Sequence, residues 1–208
     1  MVDGAHAPAM IPLNIDDVGA DYYAGNCHKW LLAPMGCGFL AVRDWERPLE
    51  PLHVSWGYKP DAYPVGEQLA ATGPDAADAY GSTQRTRYLE FEGTKDVCPW
   101  LATPAAIAFQ ESLGWDAIRR RHAELAAYSR GVFDRLGWKL ATPAALSGAM
   151  TACELPPDTD VAALKAKLWA RRIEVLINDR PDRKLLRISH HFYTTEAEID
   201  VLAEALRI

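Results

Sequence analysis

The spacing of apolar and polar side chains divides the chain into two regions. Up to residue 44 the apolar positions form short runs interrupted by Gly, Pro and Asn, and the runs at 21–25 and 38–42 predict strands. The run at 38–42 is apolar throughout, which is typical of a strand that is buried on both faces. Residues 45–96 contain five prolines and show no periodicity. An irregular stretch of that length in a compact domain usually serves a function or an interface.

From residue 97 onward the apolar positions recur at helical spacing, and strand-like runs separate the helices. The pattern predicts helices over 104–113, 115–136, 161–171 and 195–206. It predicts strands over 149–155, 173–177 and 185–189. The last helix has a capping-box sequence, in which Thr195 is followed three residues later by Glu198. This order predicts a small α+β domain at 97–208, which follows a first domain at 1–96.

Composition and charge narrow the possible classes of protein. The 208 residues are 49% hydrophobic and 24% charged, which is the ordinary balance of a soluble globular protein. The formal net charge of -6 argues against nucleic acid and against an anionic membrane surface as partners. No apolar run approaches the roughly 20 residues that a membrane span needs. No secretory signal is visible, so we expect a cytoplasmic protein.

The cysteine and histidine spacing does not favour a metal site. Four cysteines, at 27, 37, 98 and 153, lack CxxC spacing, which predicts reduced thiols in place of a disulfide framework. Cys27, His28 and Cys37 together with His6 fit no standard zinc pattern. The adjacent histidines at 190 and 191 are predicted to point to opposite faces of a strand, and the arginines at 119–121 to form a solvated helix face. We therefore predict no metal.

The segment from residue 3 to residue 38 carries the candidate chemistry. Lys29 lies between small residues, a histidine and a tryptophan. Partial burial lowers the proton affinity of a lysine and makes its amine a usable nucleophile for Schiff-base formation. Asp3 could pair with a protonated ring nitrogen, so the two residues supply two of the contributions that pyridoxal 5′-phosphate (PLP) chemistry needs. Taken singly, a surface Lys29, a loop His6 and a solvent-facing Arg187 remain open alternatives.

Four motifs together resemble those of one enzyme family. Residues 3–6, Asp-Gly-Ala-His, resemble the Asp-x-Ala-His/Gln motif of class V aminotransferases. Residues 25–30, followed by Pro-Met-Gly at 34–36, resemble the lysine motif of the isopenicillin-N-epimerase-like branch of that family. Residues 92–96 resemble its Gly-Thr-x-Asp segment, and residues 186–189 its C-terminal arginine motif. The motifs occur in the family's order and span nearly the whole chain.

The resemblance implies a fold, a cofactor and a role for each matching residue. The implied fold is α/β, a fold-type I PLP-dependent transferase with an incomplete large domain and a C-terminal α+β small domain. Lys29 would form the Schiff base with PLP and later move the α-proton of the substrate. Asp3 would pair with the pyridine nitrogen, and His6 would contact the phenolic oxygen. His28 would help to hold the phosphate.

The same resemblance implies how the substrate and a second subunit take part. Arg187 would clamp the carboxylate of an amino acid substrate, a task that suits its planar donor fork. Gly93 and Thr94 would reach the phosphate of the neighbouring subunit's cofactor, which implies a homodimer. The implied reaction is that of an epimerase, lyase or aminotransferase. A desulfurase is less favoured, because no cysteine lies in a recognisable glycine-rich mobile loop.

Members of the family are about twice as long as this chain, and this leaves two hypotheses open. Almost no residues precede Asp3, so we expect the strand that would anchor this carboxylate to be absent. In the first hypothesis the chain is an enzyme, or part of one, and the rest of the site comes from another polypeptide or from a longer protein. In the second it is a catalytically incompetent remnant that serves as a folding or dimerising module.

Overall fold

The computed structural model describes residues 1–44, 49–53, 77, 81–83, 86 and 89–207. Most of the irregular stretch predicted at 45–96 lies outside the described residues. The division into domains at residue 96 stays a prediction.

The first sheet consists of strands β1 (Val2–Asp3), β2 (Tyr22–Asn26) and β3 (Gly38–Val42), in that spatial order. A short helix, α1 (Ile15–Val18), lies between the first two strands in sequence. Strand β3 is antiparallel to β2. The predicted strands at 21–25 and 38–42 are confirmed, but the predicted double burial of β3 is wrong. In this strand the side chains of Phe39 and Leu40 are 37% and 45% exposed, because the described part of the chain covers only part of β3.

Asp3 has the anchor that the sequence predicted it to lack. Strand β1 has only two residues, yet it pairs in parallel with β2, with Val2 opposite Tyr23 and Asp3 opposite Ala24. The amide of Gly4 continues the pairing with a 2.9 Å hydrogen bond to the carbonyl of Ala24. The prediction considered only the length of β1, whereas the position of Asp3 is set by the pairing of β1 with β2.

The long helices follow the predicted pattern with shifted ends. Helix α2 (Cys98–Leu113) begins six residues before the predicted start, because Pro99 occupies the first turn, where proline is tolerated. Pro104, the predicted start, lies inside this helix. Helix α3 (Trp115–Arg135) ends one residue before its predicted end.

The second sheet and two further helices form the C-terminal core. Strands β4 (Met150–Glu154), β5 (Leu176–Asp179) and β6 (Lys184–Ser189) are antiparallel, with β6 in the centre. Helix α4 (Val161–Ala170) precedes β5, and α5 (Glu196–Leu206) follows β6. The core between these elements includes the fully or almost fully buried side chains of Phe133, Cys153, Leu168, Ile177, Leu186 and Leu202.

Strand β5 begins three residues later than predicted. The chain leaves α4 through a turn in which the amide of Ile173 bonds the carbonyl of Leu168 at 3.0 Å. Arg172 has the left-handed φ of 58° in this turn. A positive φ at a non-glycine residue does not belong to a strand, so the apolar residues directly after it remain in the connection.

The capping box of α5 is confirmed. The hydroxyl of Thr195 accepts from the amide of Glu198 at 3.3 Å, and the carboxylate of Glu198 accepts from the amide of Thr195 at 2.7 Å. The carboxylate of the neighbouring Glu196 accepts two hydrogen bonds from the guanidinium of Arg121 on α3, at 2.6 and 3.0 Å. The predicted solvated face at 119–121 is therefore wrong for Arg121, which joins two helices, while Arg120 is exposed.

None of the described helices is long and apolar enough to cross a membrane. Within the described residues no group of three or more His, Cys, Asp or Glu side chains is arranged to hold a metal ion. All four cysteines are free thiols.

Replacement of the capping hydroxyl should destabilise α5. We expect Thr195→Ala to lower the free energy of unfolding by about 1 kcal/mol, because an amide in the first turn loses its acceptor. Urea unfolding followed by circular dichroism measures the change. Thr195→Ser, which keeps the hydroxyl, is the matched control and should stay close to the unmodified chain. Equal losses in both variants would contradict a role for the cap.

Candidate active site

Lys29 lies in a loop, residues 27–37, that joins β2 to β3 and is fixed at its base. The amide of Cys27 bonds the carbonyl of Cys37 at 3.0 Å, and the amide of Ala33 bonds the carbonyl of Cys27 at 3.0 Å. The ring Nδ1 of His28 donates to the carbonyl of Cys37 at 2.7 Å. The thiol of Cys37 in turn contacts the hydroxyl of Thr103 on α2 at 3.1 Å. The loop is therefore tied to both strands and to α2.

Trp30, the residue after Lys29, connects the loop to the C-terminal part of the chain. Its carbonyl accepts from Nε2 of Gln110 at 2.8 Å and from Nε2 of His191 at 3.1 Å. Its indole stacks on the ring of His191, with centroids 5.4 Å apart, and meets the ring of His122 edge-on at 5.3 Å. Because Trp30 is 4% exposed and held on all these sides, the backbone that carries Lys29 has a defined position.

His6 lies between Lys29 and Trp30. The amine of Lys29 is 3.3 Å from Nε2 of His6, and the indole nitrogen of Trp30 donates to Nδ1 of the same ring at 3.2 Å. The loop that carries His6 follows β1, where the carboxylate of Asp3 accepts from the amide of Ala5 at 3.0 Å. Lys29 and His6, which are 23 residues apart in sequence, therefore form one contact pair.

Glycine at position 4 permits this arrangement. A Cβ at Gly4 would overlap the phenol ring of Tyr23, which is buried in the adjacent strand. The Asp-Gly-Ala-His sequence thus needs its glycine for the close approach of β1 to Tyr23.

The charges of three predicted residues act on His6. Burial lowers the pKa of the His6 imidazole, the positive charges of Lys29 and Arg187 lower it further, and the carboxylate of Asp3 acts in the opposite direction. Coulombic interactions weaken with distance, so the charged groups of Asp3, Lys29 and Arg187 lie near enough to this ring to act on it. Of these predicted residues, Lys29 contacts the His6 ring at 3.3 Å, and Asp3 and Arg187 act on the ring through their charges.

Arg187 lies on the central strand β6, opposite Ala152 of β4 and Leu176 of β5. It is half-buried, not solvent-facing as an isolated strand arginine usually is, and its buried Nε has no hydrogen-bond partner among the described residues. A buried N–H without an acceptor is costly. The donor is suited to a carboxylate oxygen supplied by a ligand.

The remaining predicted residues have other surroundings. Two of them, Gly93 and Thr94, lie in the turn before α2. Gly93 has a φ of 91°, and Thr94 is exposed. The turn is joined to α2 by the carboxylate of Asp96, which accepts a hydrogen bond from the amide of Cys98 at 2.9 Å. His28 is next to Lys29, but its Nδ1 proton is used by the carbonyl of Cys37. His28 can donate to a phosphate from Nε2 only when the ring carries a second proton.

Sequence reasoning missed the buried side chains that hold the Lys29 loop through hydrogen bonds to the carbonyl of Trp30. The predicted strand placement of His190 and His191 is wrong, since β6 ends at Ser189 and both rings are buried. His191 contacts Trp30, and Nε2 of His190 is 3.3 Å from the hydroxyl of Thr151. The fully buried Gln110 had one sequence signal, namely its place as a polar residue within an apolar helix.

Comparison with known proteins identifies similar chains. The family model described as aminotransferase class-V matches residues 1–202. Isopenicillin N epimerase from Amycolatopsis lactamdurans is 52% identical over an alignment that covers 100% of this chain and 51% of that protein. The protein of the same name from Streptomyces clavuligerus is 51% identical over an alignment that covers 99% of this chain and 51% of that protein. A putative L-cysteine desulfhydrase from Oryza sativa subsp. japonica is 25% identical over an alignment that covers 99% of this chain and 45% of that protein. The chain spans about half the length of the curated relatives it matches.

Solved structures confirm the predicted fold. An apo cysteine desulfurase from Thermococcus onnurineus NA1 matches with a TM-score of 0.74 and 18% identity, which covers 98% of this chain and 50% of that one. The cystine C–S lyase C-DES, in complex with cysteine persulfide, matches with a TM-score of 0.72 and 20% identity, which covers 97% and 50%. The mixed α/β chain therefore has about half of a fold-type I architecture.

The buried histidines behind the loop predict a loss of stability in acid. Burial lowers the pKa of His122 and of His190 to about 4, and the unfolded chain binds these protons nearer pH 6.5. The unfolded state therefore binds more protons between these values, and the free energy of unfolding falls as the pH is lowered through this window. We expect about 1–2 kcal/mol per histidine between roughly pH 7 and pH 5.

Urea unfolding at the two pH values tests this expectation. His190→Gln removes one titrating group and should show a smaller drop between them. His53→Gln, which changes an exposed histidine, is the control and should keep the drop of the unmodified chain. An unchanged drop in His190→Gln would show that His190 does not titrate as described.

Proposed function

The chain belongs to the class V aminotransferase family, and from this premise we propose that it carries the lysine-bearing half of a PLP site that acts on an amino acid. The observation that carries the proposal is the 3.3 Å contact between the amine of Lys29 and the ring of His6. The charges of Asp3 and Arg187 act on that same ring. The proposal is supported by an amine in contact with an imidazole, and by a carboxylate and a guanidinium whose charges act on that imidazole.

This donor set fits the cofactor. PLP, when bound, supplies an electron sink that stabilises negative charge at the α-carbon of an amino acid. The amine of Lys29 would hold the aldehyde carbon of PLP, and its Nζ would take and return the α-proton. Asp3 would pair with the pyridine nitrogen, His6 would contact the phenolic oxygen, and His28 would help to hold the phosphate. The fit rests on the residues that are present in the chain.

Arg187 would bind the carboxylate of the substrate. Its half-buried position on β6 and its unpaired Nε leave a donor directed at no protein acceptor among the described residues. A guanidinium in such a place binds a carboxylate with charge-assisted hydrogen bonds. The substrate class is therefore an amino acid with a free carboxylate.

A homodimer would complete the site. In this proposal Gly93 and Thr94 of one subunit reach the phosphate bound in the other. The exposed apolar side chains of α2 support association, since Leu101 is 74% and Phe109 is 50% exposed. The cytoplasm is the proposed location, and the four free thiols support it.

Epimerisation is the reaction that we favour over C–S bond cleavage. The chain is 52% identical to a protein named isopenicillin N epimerase and 25% identical to one named as a cysteine desulfhydrase. Cys98 is the exposed cysteine, and the nearby carboxylate of Asp96 raises the pKa of its thiol, which argues against the one kind of C–S cleavage that needs a cysteine thiolate, namely that of a desulfurase. The other three cysteines are buried.

A non-enzymatic folding or dimerising module is the second candidate. The observation in its favour is the exposure of apolar side chains of α2. Such a module would bind no PLP at Lys29, so one experiment separates the two proposals.

Purified chain titrated with PLP should develop a visible absorbance band that depends on Lys29. We expect Lys29→Ala to lack the band, because no amine remains at that position, and Lys165→Ala, which changes an exposed lysine on α4, to keep it. Borohydride reduction followed by peptide mass spectrometry should place the reduced adduct on Lys29. Absence of a Lys29-dependent band at saturating PLP would favour the non-enzymatic module.

Replacement of the arginine should weaken substrate use in the PLP-loaded protein. We expect Arg187→Ala to lower kcat/KM for solvent exchange of the α-proton roughly 10- to 100-fold, the value of a lost charge-assisted interaction. Exchange is followed by NMR in deuterated water. Arg120→Ala, on the exposed face of α3, is the control. The effect should vanish for an amine that lacks the carboxylate, and an equal loss with that amine would contradict the assigned role.

A further inference from the structure

We infer that His191 is a positioning residue that joins the Lys29 loop to the strand carrying Arg187, and thereby makes the site selective for an α-amino acid over a β-amino acid. The inference rests on the proposed function, because it assigns one ligand to both Lys29 and Arg187. It adds a residue that determines the spacing of the two ends.

The connection from Arg187 to Lys29 is short. His191 follows Arg187 by four residues, directly beyond the end of β6. Nε2 of His191 donates to the carbonyl of Trp30 at 3.1 Å, and Trp30 is the residue next to Lys29. The other donor to this carbonyl, Gln110, lies on α2 and therefore holds Trp30 without joining it to β6.

The backbone between Arg187 and His191 is fixed as well. The amide of His190 bonds the carbonyl of Ala149 at 2.8 Å, which continues the pairing of β6 with β4 beyond the end of the strand. The amide of Thr194 bonds the carbonyl of His191 at 2.8 Å. The ring of His191 therefore keeps its position relative to β6.

The proton of the His191 ring is directed at Trp30. The amide of Phe192 donates to Nδ1 at 3.0 Å, so Nδ1 is an acceptor and the neutral ring carries its proton on Nε2. The carbonyl of Trp30 can only accept, which matches this proton. Burial lowers the pKa of His191 and favours the neutral ring, against the opposing effect of the Trp30 carbonyl. One tautomer thus satisfies both ring nitrogens.

Two aromatic rings hold the imidazole in this orientation. The indole of Trp30 stacks on it with centroids 5.4 Å apart, and the phenol of Tyr193 stacks on it with centroids 4.6 Å apart. A rotated imidazole would lose these contacts together with the hydrogen bond to Trp30. Because His191 is buried, water does not replace that hydrogen bond at low cost.

A ligand that binds at both ends has to match their separation. In the proposed function its amine comes to the aldehyde carbon that Lys29 holds, and its carboxylate binds Arg187. One carbon separates these two groups in an α-amino acid, and two carbons separate them in a β-amino acid. A link that resists movement of one end against the other therefore favours the shorter ligand, on which the proposed proton transfer acts.

Hydrogen exchange tests the link in the chain without cofactor. His191→Phe keeps an aromatic ring and removes the donor to Trp30. We expect the amides of Cys27 and Ala33, which bond across the base of the Lys29 loop, to exchange roughly three- to tenfold faster, the factor of one neutral hydrogen bond. Mass spectrometry of the peptides that cover the loop measures the rates.

Two further variants complete this experiment. His191→Gln places an amide donor near the position of Nε2 and should restore the slower exchange. His53→Gln changes an exposed histidine and should exchange like the unmodified chain. Loop exchange that is the same in His191→Phe as in the unmodified chain would overturn the link.

The selectivity is tested in the PLP-loaded protein with alanine and 3-aminobutanoate. Both carry a methyl group on the carbon that bears the amine, and they differ in the distance to the carboxylate. We expect His191→Phe to lower the preference for alanine roughly three- to tenfold. The preference is the ratio of kcat/KM for exchange of the proton on that carbon, followed by NMR in deuterated water. Gln110→Met removes the other donor to Trp30 and should keep the ratio.

The outcomes separate this inference from the proposed function. Faster loop exchange with an unchanged preference in His191→Phe would overturn the selectivity and leave His191 a structural role. A chain that binds no PLP would contradict the proposed function and with it the selectivity, whereas the exchange rates would still support or overturn the link.

The unmodified chain provides a test that needs no folded variant of His191. Long-range ¹H–¹⁵N correlation spectra of ¹⁵N-histidine-labelled chain show which ring nitrogen is protonated. We expect the Nε2-protonated form of His191 near neutral pH. If His191→Phe does not fold, a dominant Nδ1-protonated ring would overturn the link, because such a ring has no proton to donate to Trp30.

Discussion

The burial of Trp30 directly beside Lys29 is the constraint on which the site depends. A tryptophan adjacent to a reactive lysine fixes the lysine backbone only if the tryptophan itself is held. Here its carbonyl has two donors, from α2 and from the segment after β6, and its ring lies against two histidines. These donors come from α2 and from the segment directly after β6, so the packing of these two segments also determines the position of the Lys29 loop. Stability and site geometry are thus properties of the same packing.

The sequence predicted the elements well where the pattern is local. Strand β3, helix α3 and the capping box at Thr195 follow from apolar spacing and from residues three positions apart, and each is observed. The candidate site residues Asp3, His6, Lys29 and Arg187 came from motifs. In the structure Lys29 contacts His6, and the charges of Asp3 and Arg187 act on the same ring. Their chemical roles, and those of His28, Gly93 and Thr94, stay predictions.

What the sequence did not predict depends on contacts between distant residues. Gln110 and His191 reach Trp30 across 80 and 161 positions, and no local pattern reports such a pairing. The anchor of Asp3 was missed for the same reason, because its partner Ala24 lies in the next strand. The exposure of Phe39 and Leu40 was missed for a different reason. An apolar run indicates that a strand is suited to burial, but it does not indicate which part of the chain covers it, and the described residues cover β3 only in part.

The shortness of β1 has a consequence for how the carboxylate at Asp3 is presented. Among the described residues β1 pairs with β2 alone, and a strand that is paired on one side can detach while the rest of the sheet remains folded. Only the attached population holds Asp3 in place, so the apparent affinity for a ring that needs this carboxylate is divided by the attached fraction. A ligand that pairs with Asp3 would shift the balance toward attachment and so stiffen the segment that holds it. Local opening of β1 would therefore weaken the binding of such a ligand even where the rest of the site keeps its geometry.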